Sequence, residues 1–320
     1  MLENWKKREK NWIKPAIVIH GGAINPLNEE FNRGVSQASV EAMSILENGG
    51  KSLDAVVRSL EVMENNPIFN AGTGSWPNFN GEIEMDAIIM EGKIRRSGAV
   101  GCIQMVKNPI LVARKVMEET DHILLVGNGA ERFARNAGFR NYNPITESRR
   151  VEWQEMVGKL KHGENVPLFE YWKKLKKYAS DTVGAVAIDV NDNIAAGTSS
   201  GGFPLKLPGR IGDVPLIGCS TYAQNLVGGV SITGHGEVVM KNLIAKSVCD
   251  ELAKGSQVQP LVEETVRKIS RTEKGEILLT VIAMDQHGNI GVARNAELTP
   301  HAYFRKGMKK PEVSFAPIIK

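Results

Sequence analysis

The segment Asp181-Thr182-Val183-Gly184 places a threonine at the opening of an apolar run, directly after a long charged stretch. A threonine hydroxyl is a weak nucleophile on its own. It gains a base when the bond before it is cut, because the freed α-amine of the same residue, with a pKa near ~8, accepts the hydroxyl proton. Thr182 is thereby a candidate for acyl transfer, although a β-branched residue opening a strand also has an ordinary structural reason to be there. Other signatures are weaker. No G-x-S-x-G elbow occurs, and Gly49-Gly50-Lys51-Ser52 has only the tail of a phosphate-binding loop, with Ile45 where its first glycine belongs. The histidines, His20, His122, His162, His235, His287 and His301, lie in unrelated segments without the i,i+4 spacing of a zinc enzyme. Cys102, Cys219 and Cys249 show no C-x-x-C spacing, which argues against a disulfide framework and for a reducing, cytoplasmic setting.

The elements that must position Thr182 follow from periodicity. The run Ala16 to His20, closed by Gly21-Gly22, predicts a buried strand, and apolar positions from Glu29 onward predict a helix stopped by Gly49-Gly50. Ser52 is placed to cap a second helix reaching about Met63. Short strands framed by Gly, Asn and Pro are expected between 65 and 101, then a helix from Pro109 to Glu119, a strand from His122 to Val126 and a helix from Ala130 to Asn136. Between 144 and 181 the basic residues outnumber the acidic ones and the apolar signal thins, which reads as a surface linker. Its end, LFEYWKKLKKY, interleaves aromatic and basic residues as an RNA-binding or membrane-surface helix does, but reads first as a solvated amphipathic segment. Val183 to Asp189 and Asn193 to Thr198 predict a hairpin turning at Asn191-Asp192. Short strands at Leu216 to Gly218 and Gly229 to Ile232, one helix from Glu237 to Lys254, another from Val258 to Ser270, and a β-rich end from Ile277 complete an α/β pattern.

Over 320 residues, 42% hydrophobic and 24% charged, there is enough apolar material for a core. Lys and Arg number 40 against 36 Asp and Glu, a balance too even to argue for nucleic acid or a membrane surface. The first fourteen residues contain no apolar signal region, and no stretch approaches the ~18 apolar residues of a membrane span. A small-molecule substrate is the default expectation.

The residues around Thr182 narrow it. The chain resembles the plant-type asparaginase and isoaspartyl peptidase family of N-terminal-nucleophile hydrolases over nearly its whole length. The resemblance rests on IHGGA at 19–23, FNAGTGS at 69–75, DAIIMEG at 86–92, SGAVG at 97–101, NPILVARKVME at 108–118, DTVGAVAID at 181–189, AAGTSSGG at 195–202, GRIGDVPLIG at 209–218 and TGHGE at 233–237. It implies an α/β fold, a four-layer αββα sandwich, and a dimer of mature α/β pairs. Thr182 would be the nucleophile, first for self-cleavage between Asp181 and Thr182, giving subunits 1–181 and 182–320 within one structural domain, then for hydrolysis. Thr233 and the Gly234 amide would form the oxyanion hole. Arg210 would bind the substrate α-carboxylate and Asp213 its α-ammonium, although in a Gly-rich loop such a pair also reads as a surface ion pair. Ser200 stands eighteen residues after the nucleophile, where the family usually has a threonine. It keeps the hydroxyl and loses the methyl that fixes the rotamer. Asn70 either orients Thr182 or stabilises a turn.

The implied reaction is hydrolysis of β-aspartyl dipeptides and L-asparagine to release L-aspartate, with no catalytic cofactor. A structural sodium ion is implied on backbone carbonyls of Met63, Glu64, Asn66, Phe69, Ala71 and Thr73. Two alternatives stand beside this reading. One is a glycosylasparaginase, to which AAGTS at 195–199 also leans. The other is an unprocessed homologue serving as a binding scaffold.

Overall fold

The computed structural model describes residues 14–22, 29–162, 182–273 and 277–319. The Asp181 side of the expected cleavage bond and the LFEYWKKLKKY segment lie outside the described residues. Twelve strands among the described residues form two sheets. The first has eight strands, β1 (Ala16–His20), β2 (Met85–Glu91), β3 (Ser97–Ile103), β4 (Leu124–Val126), β5 (Val183–Ile188), β6 (Ile194–Ser200), β11 (His301–Arg305) and β12 (Glu312–Val313), in the order β12-β11-β1-β5-β6-β2-β3-β4. The second is antiparallel, β10 (Ile290–Arg294), β9 (Leu279–Asp285), β8 (Gly228–Gly234) and β7 (Thr221–Gln224).

Helices α1 (Glu29–Glu47), α2 (Ser52–Glu64), α3 (Pro109–Glu119) and α4 (Gly127–Asn136) pack on the first sheet, while α7 (Ile244–Ala253) and α8 (Val258–Thr272) pack on the second. The sheets also touch each other, β5 and β6 against β8 and β1 against β9. Strands with both faces covered are largely apolar, which is why the inner strands read as near-continuous runs rather than alternations.

Alternation still decides which layer each residue serves, because successive side chains leave a strand on opposite faces. On β1, Ile17 and Ile19 join the core shared with α1 and α2, whereas Ala16 and Val18 join the core between the sheets. On β5, Val183, Ala185 and Ala187 face the helices, and Val186 and Ile188 face the second sheet. On β6, Ala195 faces the helices, and Ile194 and Ala196 face the second sheet. By the same parity His20, Thr182, Thr198 and Ser200 belong to the inter-sheet layer, and Ser199 to the helical side.

Several expectations are corrected. The start of α2 is not capped by Ser52: the N-cap is Lys51, and the Ser52 amide donates to Asp189 Oδ2 at 3.1 Å, so a distant carboxylate satisfies that helix end. The surface linker contains a helix, α5 (Glu147–His162). Polar anchors hold it, and these are invisible to apolar periodicity: Trp153 Nε1 donates to Asn78 O at 3.1 Å, and Arg149 donates to Gly74 O at 2.9 Å while lying over the Trp76 ring. The single helix expected from Glu237 is two, α6 (Gly236–Asn242) and α7, broken at Leu243, which adopts left-handed φ 45°. The break lets the first α7 amides, Ala245 and Lys246, bond Cys219 O and Gly218 O. Leu216 to Gly218 forms only an isolated bridge from Ile217 to Thr221.

Candidate active site

The β5–β6 hairpin pairs Val183 with Ser199 and Ile188 with Ile194 around the Asn191-Asp192 turn. Continuing this register by one step sets Thr182 opposite Ser200. The Thr182 hydroxyl, in a residue only 3% exposed, donates to Ser200 Oγ at 3.1 Å. Ser200 Oγ also accepts the Gly202 amide at 3.0 Å, so the same oxygen is tied to the loop that follows β6. That loop is held by Asn70, whose side-chain amide donates to Gly202 O, whose Oδ1 accepts the Trp76 amide and whose carbonyl accepts the Gly201 amide. Asn70 therefore orients the segment carrying Ser200.

His20 fixes the other side of Thr182. Its Nδ1 lies 2.9 Å from Thr182 O and its Nε2 2.9 Å from Ser231 Oγ. A carbonyl accepts only, so Nδ1 carries the proton and Nε2 accepts from Ser231. The hydroxyl chain continues through Thr198 Oγ1, 3.0 Å from Ser231 Oγ, to Thr221. Burial drives the His20 pKa down to about 3, against the raising effect of the Thr182 carbonyl bond, so the ring is neutral. Gly184 makes this crossing possible: a Cβ there would sit 2.0 Å from Ser231 Oγ and 2.3 Å from His20 Nε2.

Thr233 and Gly234 end β8 two and three residues beyond Ser231. Strand parity puts Thr233, fully buried, on the same face as Ser231, toward the first sheet. The chain then turns into α6 through Gly236, whose missing Cβ would lie 2.7 Å from Asp213 Oδ1 and 2.8 Å from Arg210 Nη2. The end of β8 is thus where the Thr182 network and the Arg210–Asp213 loop meet. The Arg210 guanidinium donates through Nε and Nη2 to Glu237 Oε1 at 3.0 and 2.9 Å and lies over the Phe203 ring. Asp213 is buried, which raises its pKa to about 7, with Arg210 pulling the other way.

Sequence reasoning assigned no role to the side chains of His20, Ser231, Glu64, Glu84, Asp86 and Lys206. The signal for His20 was a polar residue closing an otherwise apolar strand. Glu64 is buried at the end of α2, where Oε1 accepts Ser199 Oγ at 2.6 Å and the Ile110 amide at 3.0 Å. Burial raises its pKa to about 8. Among the described residues no cluster of His, Cys, Asp and Glu could hold a metal ion through side chains.

Beside Glu64 the chain from Met63 to Gly74 bends tightly on its own backbone, with Thr73 N–H donating to Glu64 O at 2.8 Å. A Cβ at Gly74, where φ is +100°, would sit 2.3 Å from Pro67 O and 2.8 Å from Phe69 O, and one at Gly72 would sit 2.5 Å from Glu64 O. Backbone carbonyls, neutral hard oxygens, converge on these two bare positions. Such donors suit an alkali cation better than a transition metal.

Comparison with known proteins places the chain among relatives over nearly its whole length. A family model described as asparaginase matches residues 13–313. The plant-type L-asparaginase of Pyrococcus horikoshii is 46% identical over 308 residues, 93% of this chain and 98% of that protein, and that of Pyrococcus abyssi is 45% identical over the same shares. The isoaspartyl peptidase/L-asparaginase of Homo sapiens is 37% identical over 270 residues, 82% of this chain and 85% of that protein. With nearly the full chain matched and the hydroxyl pair, the glycine-rich turn and the Arg–Asp loop gathered at one end of two sheets, the chain belongs to the asparaginase family.

Proposed function

We propose that the chain is an autoprocessing threonine amidohydrolase that releases L-aspartate from β-aspartyl dipeptides and L-asparagine. The observation that carries this reading is the buried Thr182 hydroxyl bonded to Ser200 beside the end of β8. The names of the relatives support the substrate class.

In the first step Thr182 Oγ attacks the Asp181 carbonyl carbon, the peptide C–N bond breaks, and the α-amine of Thr182 takes the proton. Water then hydrolyses the ester, giving subunits 1–181 and 182–320, which remain one domain in a four-layer αββα arrangement. In turnover the freed α-amine removes the Thr182 hydroxyl proton as Oγ attacks the β-carbonyl of the substrate. Negative charge on that oxygen is held by Thr233 Oγ1 and the Gly234 amide, donors that in such sites are worth about 3–4 kcal/mol each. The leaving ammonia or amino acid departs with the proton, and water cleaves the β-aspartyl ester to return Thr182. Arg210 binds the α-carboxylate, releasing Glu237 in part, and ionised Asp213 accepts from the α-ammonium. Ser200 orients the nucleophile directly and Asn70 does so through the 200–202 segment.

The carbonyls of Met63, Glu64, Asn66, Phe69, Ala71 and Thr73 would hold a sodium ion, whose role there is to fix the bend behind Asn70. A higher unfolding midpoint in sodium chloride than in tetramethylammonium chloride of equal ionic strength tests this. On this reading the mature chain would act as a dimer of α/β pairs in the cytoplasm; buried free thiols at Cys102, Cys219 and Cys249 suit a reducing compartment. No helix among the described residues is long and apolar enough to cross a membrane.

Intact mass spectrometry followed by aspartate release from β-Asp-Leu and L-asparagine tests the reading as a whole. Cleavage before Thr182 with turnover, both abolished in Thr182→Ala, is the expected result. A Thr182→Ala chain that still cleaved and turned over would overturn it.

A further inference from the structure

The loop carrying Arg210 and Asp213 is fixed by groups remote from the nucleophile. The Gly209 amide donates to both carboxylate oxygens of Glu84 at 3.0 and 3.2 Å, and the Gly212 amide donates to Asp86 Oδ2 at 3.1 Å. The backbone on each side of Arg210 is thus held by a carboxylate, Glu84 just before β2 and Asp86 within it. Both carboxylates are buried, and Asp86 stands opposite Ser200 in the β2–β6 register.

Two carboxylates withdrawn from water need a cation. Lys206, from the same loop, is 0% exposed, and its ammonium donates to the backbone carbonyl of Glu84 at 2.7 Å. Burial lowers its pKa, while Asp86 and Glu84 act to keep it charged and Arg210 opposes them. Gly202 leaves the space for its stem, since a Cβ there would sit 2.8 Å from Lys206 Cδ and 3.0 Å from Nζ. Gly202 is also the residue whose amide bonds Ser200 Oγ. The ammonium therefore lies beneath both the Arg210 loop and the Ser200 end of β6, with no surface role to explain it.

We infer that Lys206 is a positioning residue for substrate head-group recognition: its buried ammonium offsets Glu84 and Asp86 and so fixes the backbone from which Arg210 and Asp213 reach the zwitterionic head. The inference rests on the reading of Arg210 and Asp213 as the head-group clamp. A lysine that merely filled space would lower stability and, through it, the amount of active protein. A positioning lysine changes KM in the molecules that remain folded.

The experiment compares Lys206→Met and Arg210→Ala in the full chain, reading self-cleavage by intact mass and kcat and KM on L-asparagine. Self-cleavage does not use the clamp, so both variants should mature. Lys206→Met should raise KM about tenfold or more with kcat changed less than about threefold, the scale of a lost charge-assisted hydrogen bond. Lys206→Met/Glu84→Gln, which removes one charge of each sign, should recover part of that loss.

A Lys206→Met KM within about twofold of the parent, beside a large increase in Arg210→Ala, would overturn the inference and leave the clamp standing. An unchanged KM in Arg210→Ala would remove the clamp and the inference together. If Lys206→Met does not fold, the double variant decides. A folded, maturing double with raised KM supports the inference; a parental KM, or no recovery of folding, overturns it.

Discussion

Thr182 and Ser200 face each other across the β5–β6 hairpin, with the threonine hydroxyl donating to the serine oxygen at 3.1 Å and the Gly202 amide donating to that same oxygen at 3.0 Å. The serine is therefore the joint between the nucleophile and the loop that follows. Ser200→Ala should slow both self-cleavage and turnover by roughly 10- to 100-fold, the scale of losing a buried hydrogen-bond acceptor. Ser200→Thr should restore or exceed the parental rates by fixing the rotamer. Time courses of intact mass and aspartate release measure both, and a Ser200→Ala chain at parental rate would remove Ser200 from the mechanism.

Asp213 predicts a pH dependence of head-group binding. With its pKa raised to about 7 by burial, the free protein carries a growing fraction of neutral Asp213 as the pH falls below 7. A neutral carboxyl accepts poorly from an ammonium, so the dissociation constant for L-aspartate should rise about tenfold per unit below pH 7 and level off above it. Calorimetric titration between pH 5.5 and 8 reads this directly. A flat profile would show that Asp213 does not receive the ammonium.

Glu64 predicts stability that runs the other way with pH. Its folded pKa of about 8 lies above the unfolded value of 4.5, so the folded state binds more protons between them. That contribution is complete below about pH 4.5 and is lost as the pH rises toward 8. Glu64→Gln keeps an acceptor for Ser199 and the Ile110 amide without an ionisable proton. The fall in urea midpoint from pH 5 to pH 8 should therefore be smaller in Glu64→Gln than in the parent, and an equal fall would exclude Glu64 as its source.

Gly184 predicts a packing effect that a second change can relieve. An alanine there drives its methyl into the His20–Ser231 contact, which should cost about 1–3 kcal/mol and shift Thr182 through its carbonyl. Gly184→Ala/Ser231→Gly should recover part of the unfolding midpoint. If the double variant were no more stable than the single one, the clash would lie elsewhere.

Much of this arrangement is legible in the sequence because it is local. The hairpin follows from two apolar runs around Asn191-Asp192, and strand parity then separates Ser199, bonded to Glu64, from Thr198 and Ser200 in the inter-sheet layer. What escapes are polar contacts between distant segments. Lys206 and Glu84 are 122 residues apart and Asp189 reaches Ser52 across 137, so neither pairing leaves a local pattern. The α5 helix escapes for a related reason, since Trp153 and Arg149 dock on backbone carbonyls instead of presenting an aliphatic stripe. The break at Leu243 answers to backbone partners at 218–219, which no propensity of its own residues encodes.

The antiparallel register that sets Thr182 against Ser200 also makes the pair sensitive to parity. Residues added at the tip between Asp189 and Asn193 lengthen the bend and leave every rung of the ladder where it was. A single residue added within either strand turns one of the two hydroxyls out of the layer between the sheets, and a second restores its face but moves it along by about 7 Å. Homologous chains are thus free to vary the tip, while the five residues between Thr182 and Ile188, and their counterparts up to Ser200, can exchange side chains but not change in number.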